Sequence, residues 1–339
     1  MIKSIQSIMR VFPNGSGLLL GLSIAFACAW FFPNRGDMGK FFFPEIVSKF
    51  AVVLIFLVQG WNLKISSFRM VYKDINRVVL VNGLIFIGPL IFVFLFYQIG
   101  FFPEYWINGF LFLAILPTTI SSCVVYTTAA GGNSDVALGY ATASNLLAIF
   151  WVPFAWVNLA NGSGNEIGEQ WISFGVHVLP QIFFLVVLPC LIGWLGCYAC
   201  FRNDKNTLGE HLKKATFICI LLLAYLGLSK TVLRIGRDEF LILIFELLPY
   251  LILFLIFHLT LSWFGSGIFS FNRKQRVAEF YCISQKSLAM GLPLAGLLIG
   301  SEPQLTIPIV CPLLIYHFLQ LAVGTCFLSR LKEWSSRAC

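Results

Sequence analysis

Four consecutive polar residues interrupt an apolar stretch near the C-terminal end of the chain. They are Ser284, Gln285, Lys286 and Ser287. Polar groups at membrane depth are costly unless they face a cavity or one another, and an ionisable residue there marks a candidate functional site. The Lys286 ammonium group could pair with an anionic substrate, take the place of a bound cation or shuttle protons. It could also extend to a membrane interface, but its position near the middle of the stretch favours a role inside the membrane.

A second polar interruption breaks the apolar run that begins near Trp106. It contains Pro117, Thr118, Thr119, Ser121, Ser122 and Cys123. Pro117 removes a helical hydrogen bond, so main-chain carbonyls near Leu113 and Ala114 are expected to lose their partners. The hydroxyl groups can bond back to their own helix, or they can leave the backbone free to coordinate a cation or substrate. Two broken apolar segments in corresponding halves are typical of a secondary transporter, which favours the second use.

A tight turn is predicted after this interruption, where Gly131 and Gly132 are adjacent. The next apolar segment carries Thr142, Ser144 and Asn145 within about one helical turn. The two segments should then be antiparallel, with these polar groups facing the interruption. Hydroxyl and amide oxygens are ligands that hard cations prefer, so a sodium site is one use for them. Ordinary hydrogen bonding between helices is the other.

The composition identifies the kind of protein that positions these residues. Of the 339 residues, 58% are hydrophobic and only 11% are charged, and the mean hydropathy is +0.86. Soluble globular proteins are far less apolar, so the net charge of +8 is assigned to loops between membrane helices rather than to nucleic-acid binding. The alternating polarity of barrel strands is missing. The chain is predicted to be an all-α polytopic membrane protein whose first partner is the lipid bilayer.

Ten segments have about the 20 apolar residues that a membrane helix needs. They cover residues 15–33, 45–62, 78–98, 106–128, 136–158, 172–198, 215–233, 239–264, 278–299 and 306–328. The two polar interruptions lie in the fourth and ninth segments. Most of the 23 Lys and Arg residues flank the segments on the side of the two termini. By the positive-inside rule both termini are predicted to be cytoplasmic, in a bacterial inner membrane or a eukaryotic plasma or endoplasmic-reticulum membrane.

The segment count also predicts an internal repeat. Residues 1–160 hold the first five segments, residues 161–170 form a linker, and residues 171–339 hold the second five. An odd number of helices in each half means that the second half enters the membrane in the opposite orientation. This is the pattern of an inverted repeat, and the broken segments are the fourth of each half.

Two further ionisable residues, Glu246 and His317, lie well inside predicted segments. Either could neutralise Lys286 or relay a proton, and either could be a structural hydrogen-bonding group. The sequence contains no P-loop, no G-x-S-x-G elbow and no H-E-x-x-H motif. The chain is therefore predicted not to be an enzyme and to need no organic cofactor. Na+ and H+ are the candidate coupling ions for transport.

Three stretches carry a resemblance to a known family. They are Pro117–Val124 with the glycine turn after it, Gln285–Leu288 followed by Gly291 and Pro293, and Pro312–His317. At these stretches the chain resembles the bile acid:sodium symporter family, solute carrier family 10, and most closely its member-7 branch. The resemblance implies ten helices in a five-plus-five inverted repeat. Helices 1, 2, 6 and 7 would form a panel domain and the others a core domain, with helices 4 and 9 crossing at unwound centres and substrate bound between the domains.

The resemblance also implies an ion site, and the chain departs from it. In sodium-coupled members a Ser-Asn pair, helix 5 hydroxyls and a helix 9 glutamate hold one ion. The matching residues here are Ser122, Cys123, Ser144, Asn145, Tyr281, Gln285, Lys286 and Ser287, which leaves Ser122, Ser144 and Gln285 as candidate sodium ligands. The glutamate has become Tyr281 and a cation stands beside Gln285. Losing a carboxylate and gaining an ammonium group argues against sodium coupling.

These observations predict a secondary transporter that moves a small organic anion, or an inorganic ion, by alternating access. Lys286 as a tethered replacement for the ion would permit uniport, proton coupling or a regulatory role. The alternative is a non-transporting membrane regulator of calcium entry that acts through a protein partner, because the member-7 branch is associated with calcium homeostasis. A channel would need a wider or more polar pore than the few polar groups here provide.

Overall fold

The computed structural model describes residues 16–36, 44–63, 74–159, 174–199, 205–268, 272–299 and 303–337. Within these ranges the regular structure is helical, and no strand occurs. Apart from the one-turn helix Pro33–Gly36, the first six helices are α1 Ser16–Phe31, α2 Pro44–Trp61, α3 Ile75–Gln98, α4 Glu104–Ile115, α5 Ser121–Ala129 and α6 Ser134–Leu159. The seventh, α7, is a continuous helical stretch made of Phe174–Val178, Leu179–Ile182, Phe183–Val187 and Leu188–Ala199. The others are α8 Lys205–Ile235, α9 Arg237–Gly267, α10 Arg273–Ser284, α11 Leu288–Ile299, α12 Pro303–Cys326 and α13 Leu328–Ser336.

Among the described residues, 7 helices are long and apolar enough to cross a membrane. One of them, Arg273–Ile299, includes α10 and α11 with the break between them. Shorter apolar helices occupy Leu20–Phe31, Ile46–Trp61 and Glu104–Ile115. The protein is thus an all-α polytopic membrane protein, as predicted, and each predicted segment coincides with a helix or a broken helix. The ten-span count stays a prediction, and the predicted linker 161–170 lies outside the described residues.

Both helix breaks fall where polar residues interrupt the apolar sequence. The first separates α4 from α5 at residues 116–120, and the second separates α10 from α11 at residues 285–287. Leu116 is extended, with φ −73° and ψ 149°, because the residue before a proline is sterically excluded from helical geometry. Gln285 is extended as well, with φ −112° and ψ 146°, although no proline follows it.

The predicted glycine turn joins α5 to α6. Gly131 has a φ of +72°, which a residue without a Cβ atom adopts without strain. The Asn133 side chain then accepts hydrogen bonds from the amides of Asp135 (3.1 Å) and Val136 (3.2 Å). This N-cap satisfies two of the free amides at the start of α6 and holds α6 beside the first break.

The helices form two packing groups. In the first, α2 packs against α7 and α8, and α8 packs against α1. In the second, α3 to α6 and α9 to α12 surround the two breaks. The α2–α7 contact is very close because Gly60 faces the carbonyl of Cys190 while Gly193 faces the carbonyl of Leu57. Side chains at either glycine would separate the backbones, so the first group depends on both positions.

Candidate functional site

The two helix breaks are joined to each other through the main chain. The Ser287 amide donates a hydrogen bond of 2.8 Å to the carbonyl of Pro117. Ser287 also begins α11, because its hydroxyl accepts from the Met290 amide (3.3 Å) and its carbonyl accepts from the Gly291 amide (2.9 Å). The interruptions at residues 116–120 and 285–287 therefore form a single region inside the second packing group.

Lys286 occupies the middle of this region and is only 1% exposed. Its Nζ donates to three main-chain carbonyls: Ile85 at 2.6 Å, Ala114 at 2.8 Å and Leu116 at 2.8 Å. A protonated amine has three N–H donors, so the three acceptors match the ammonium form. Within the described residues no carboxylate lies within salt-bridge distance of Nζ. In the ammonium form, Lys286 is held by carbonyl dipoles alone, as cations are held in channel filters.

The three carbonyls are available because proline disrupts the helices that carry them. Ile85 would normally accept from the residue four positions later, which is Pro89 and has no N–H. Ala114 and Leu116 belong to the end of α4, where Pro117 and the extended backbone leave terminal carbonyls free. The sequence predicted free carbonyls near Leu113 and Ala114. The Ala114 carbonyl accepts from Lys286 Nζ, whereas the Leu113 carbonyl accepts from the Leu116 amide at 3.3 Å.

Gln320 of α12 holds the peptide groups on both sides of Lys286. Gln320 Oε1 accepts from the Lys286 amide at 2.7 Å, and Nε2 donates to the Lys286 carbonyl at 2.8 Å. His317, one turn earlier, places Nδ1 3.3 Å from the same carbonyl and 2.7 Å from Gln320 Nε2. An unwound backbone inside a membrane protein must have its polar groups paired by neighbours, and Gln320 does this at the second break.

Three oxygen atoms meet beside Lys286. Gln285 Oε1 lies 2.7 Å from both Thr119 Oγ1 and Ser122 Oγ, and the two hydroxyl oxygens are 2.5 Å apart. Two hydroxyl groups supply only two protons for these three contacts. A rotated Gln285 amide would supply the missing proton through its NH2 group. A cation bound against the three oxygens would relieve the same contact, so these residues have the chemistry of a weak cation site.

Asn145 connects α6 to the first break. Its Nδ2 donates to the carbonyls of Thr118 and Ala141, both at 2.8 Å. Asn145 Oδ1 and Thr118 Oγ1 are buried without a hydrogen-bond partner among the described residues. Two unpaired acceptor-capable oxygens therefore lie near the backbone that binds Lys286, which adds to the polar character of this region.

The other predicted site residues lie outside these contacts. Ser144 Oγ donates to the Ala141 carbonyl at 3.0 Å within its own helix, and the Cys123 thiol donates to the Thr119 carbonyl. Ser121 is exposed, whereas Ser284 is buried at the end of α10. Tyr281 OH donates to the Gly324 carbonyl at 3.3 Å. Of the three candidate sodium ligands, the structure brings Ser122 and Gln285 together and turns Ser144 away from them.

The buried acidic group nearest in sequence to the second break is Glu279, and it belongs to a different contact. Arg77 of α3 donates from Nε to Glu279 Oε1 at 2.5 Å, and Tyr140 OH donates to the same oxygen at 3.3 Å. Glu246, which the sequence offered as a partner for Lys286, is exposed and accepts from Trp106 Nε1 at 3.4 Å. Neither carboxylate neutralises Lys286 directly.

Gln320, Glu279 and the Ile85 carbonyl were not among the groups to which a role was assigned from the sequence. Gln320 follows His317 by three positions and so shares its helix face, a signal that could have been used. A second buried histidine, His258 of α9, pairs through Nδ1 with Tyr316 OH at 2.8 Å. The Ile85 carbonyl could have been found from Pro89, which lies four residues later in an apolar segment.

The apolar helices and the buried, polar helix breaks define an integral multi-pass membrane protein. A family model described as the SBF-like CPA transporter family (DUF4137) matches residues 16–333. The chain belongs to this family. The family is one of transporters, so the prediction that the chain is not an enzyme is confirmed.

Curated relatives agree with this assignment. The chain is 28% identical to "Putative symporter YfeH" of Escherichia coli (strain K12), over 96% of this chain and 95% of that protein. It is 28% identical to "Sodium/bile acid cotransporter 7" of Rattus norvegicus, over 93% of this chain and 92% of that protein. The protein of the same name from Xenopus tropicalis is 27% identical, over 93% and 91% of the two chains. The resemblance to the member-7 branch is confirmed.

Proposed function

We propose that the protein is a secondary transporter that moves a small organic anion by alternating access, with Lys286 in place of a coupling cation. The observation that carries the proposal is the position of Lys286 Nζ, which is bound by three main-chain carbonyls and has no carboxylate partner within the described residues. A sodium ion bound there would need the same carbonyl ligands, and an ammonium group at this position excludes it by volume and charge.

The same arrangement supports an anionic substrate. A buried positive charge without a neighbouring carboxylate leaves the region electropositive, and the start of α11 adds the positive end of a helix dipole beside Ser287. Broken helices with their ends near mid-membrane are the sites at which secondary transporters bind solutes. Relatives named as sodium/bile acid cotransporters support an organic anion as the substrate class.

We further propose the ten-helix inverted repeat as the arrangement that moves this site. The support is that α4–α5 and α10–α11, the fourth segments of the two predicted halves, are both broken and share the Ser287–Pro117 hydrogen bond. The first packing group, with α1, α2, α7 and α8, would be the panel against which the second group moves. The substrate would bind between the two groups.

Flux into liposomes tests the transport proposal. The purified protein is reconstituted into liposomes. Uptake of a labelled bile acid anion and of a labelled small dicarboxylate is then measured in external sodium, potassium or choline salt at equal concentration. We expect saturable uptake above that of empty liposomes, with the same initial rate in all three salts. A sodium gradient should not concentrate the substrate.

Two results would contradict the proposal in different ways. Accumulation driven by a sodium gradient would show that a coupling ion binds despite Lys286. The lack of flux for either anion and for labelled inorganic ions would favour the non-transporting regulator of calcium entry. A proton gradient imposed in the same liposomes separates uniport from proton coupling, because only the second predicts accumulation.

A further inference from the structure

The C-terminal helix α13 lies where several membrane spans begin or end. It follows α12, whose span ends at Cys326, after the single residue Phe327. α13 packs on α10, whose span begins at Arg273. The Arg276 side chain in turn lies beside Gly267, the last residue of α9. Three span ends meet at this level, so α13 lies at the boundary between the apolar membrane core and the headgroup region.

Arg273 fixes the end of α13 to the start of α10. Its Nη1 donates to the carbonyls of Trp334 (3.2 Å) and Arg337 (2.7 Å). Ser335 Oγ donates to the Ala130 carbonyl at 2.8 Å, which ties α13 to the end of α5 as well. A cation at the C-terminal end of a helix pairs its free carbonyls and opposes its dipole. The helix therefore has a defined position on the protein.

Tryptophan and arginine side chains fill the space beneath α13. The rings of Trp334 and Trp263 pack edge to face with centroids 5.4 Å apart. The guanidinium carbon of Arg276 lies 4.5 Å from the Trp263 centroid and 5.5 Å from that of Trp334. Indole rings are enriched at membrane interfaces, and the cation–π contacts add to the packing. The apolar side of α13, with buried Leu331, thus faces the protein and not the lipid.

Exposed basic side chains lie on both flanks of the buried Leu331 of α13. Arg330 and Lys332 are exposed, as is Lys274 at the start of α10. In the described part of the chain these three side chains have no carboxylate within salt-bridge distance. Glu333, the carboxylate of α13, is already paired with Arg337 at 2.6 Å. Lys274, Arg330 and Lys332 are therefore unneutralised cations at headgroup level, and we call them the basic C-terminal surface.

We propose that the basic C-terminal surface binds the headgroups of anionic phospholipids in the adjoining leaflet. Clustered Lys and Arg residues beside a membrane span attract anionic lipids, and each such charge strengthens binding by about fivefold. Charge complementarity favours headgroups with a net negative charge, and the position of α13 at the span ends places the three side chains at the level of the headgroups. Because α13 is anchored on α10, bound lipid stabilises the helix that leads to Lys286.

Thermal unfolding of the full chain in detergent tests the proposal. The protein is titrated with a short-chain phosphatidylglycerol, with the matching phosphatidylcholine and inorganic phosphate in parallel. Phosphatidylglycerol should raise the Tm, added salt should weaken the effect by screening, and the other two additives should leave the Tm unchanged. The double variant Arg330→Gln/Lys332→Gln should need roughly 25-fold more phosphatidylglycerol for a half-maximal shift.

A matched pair of exposed cations at the other end of the spans provides the control. Lys230→Gln/Arg237→Gln removes the same charge near the end of α8 and the start of α9, and its response should equal that of the unsubstituted protein. The proposal is overturned if the Arg330/Lys332 variant responds like that control. It is also overturned if inorganic phosphate raises the Tm as phosphatidylglycerol does, because the surface would then bind free anions.

Discussion

Lys286 donates a 2.6 Å hydrogen bond from Nζ to the carbonyl of Ile85, whose helical partner is missing because position 89 is proline. α3 also contacts α10, the helix before the second break, where Arg77 near the start of α3 pairs with Glu279 in the middle of α10. The break that carries Lys286 is therefore tied to α3 at two points. Movement of either helix must exchange these contacts for others.

Replacing Lys286 by alanine should create a site for a free cation. The carbonyls of Ile85, Ala114 and Leu116 lose their donor, and each buried unpaired acceptor costs about 1–3 kcal/mol. Lys286→Ala should therefore unfold at a lower Tm than the unsubstituted protein in choline, and sodium should restore part of the loss. A cation at 100 times its dissociation constant would contribute about 2.7 kcal/mol.

The measurement compares sodium, potassium and choline at equal ionic strength. Lys230→Ala, which removes an exposed lysine near the end of α8, is the matched control and should respond as the unsubstituted protein does. If Lys286→Ala has the same Tm in the three salts, the lysine does not stand in for an ion. The part of the transport proposal in which Lys286 replaces the coupling cation would then be wrong.

Gln320→Met should destabilise the second break while keeping the side-chain length. Methionine cannot accept from the Lys286 amide or donate to the Lys286 carbonyl, so two main-chain groups lose their partners. The expected loss is about 2–4 kcal/mol in the free energy of unfolding, measured by denaturant titration in detergent. The same substitution at exposed Gln98, at the end of α3, should change little. Equal losses in the free energy of unfolding at the two positions would show that the Gln320 hydrogen bonds do not stabilise the second break.

Breaking the Arg77–Glu279 pair from one side should be more costly than removing both charges. Glu279 is 2% exposed, and loss of one partner of a buried pair costs about 3–5 kcal/mol because the remaining charge is uncompensated. Arg77→Met and Glu279→Leu should each destabilise strongly, and the double variant should be less affected than the two losses added together. A double-mutant cycle on thermal or denaturant unfolding measures the coupling directly.

The exposed pair Glu333–Arg337 has the same chemistry and serves as the comparison. Its side chains are 70% and 67% exposed, and exposed ion pairs contribute about 0–1 kcal/mol. A double-mutant cycle for the Glu333–Arg337 pair should give a coupling energy near zero. A similarly small coupling for Arg77 and Glu279 would mean that water or another group replaces the missing partner.

The fold class and both breaks could be predicted from the sequence because they depend on local features. Composition determines that the chain is a helical membrane protein, and a polar run inside an apolar segment interrupts the helix wherever the partners lie. The helix α13 was not predicted because it is short and mixes Arg330, Lys332 and Glu333 with few apolar residues. Its position comes from contacts of Arg273 and Trp334 that link distant parts of the chain.

The partners within the site could not be predicted, because they depend on how the helices are rotated and shifted against one another. Ser144 and Asn145 are neighbours in sequence, yet Asn145 reaches the first break while Ser144 bonds within α6. Side chains one position apart on a helix point in directions about 100° apart. Composition and spacing therefore identify the polar segment but not the residue that makes the contact.

The close contact between α2 and α7 predicts that Gly193 tolerates no side chain. A Cβ atom there would overlap the Leu57 carbonyl, and backbone cannot move aside as a flexible side chain would. Gly193→Ala should lower the free energy of unfolding by about 1–3 kcal/mol, the usual effect of overpacking. Gly83→Ala in α3, where a Cβ atom meets nothing within 4 Å, should be neutral or stabilising by up to about 1 kcal/mol through helix propensity.

Denaturant unfolding of both variants in the same detergent is the measurement. Equal stability of the two would mean that α2 and α7 can separate freely, and the first packing group could not then serve as a rigid panel.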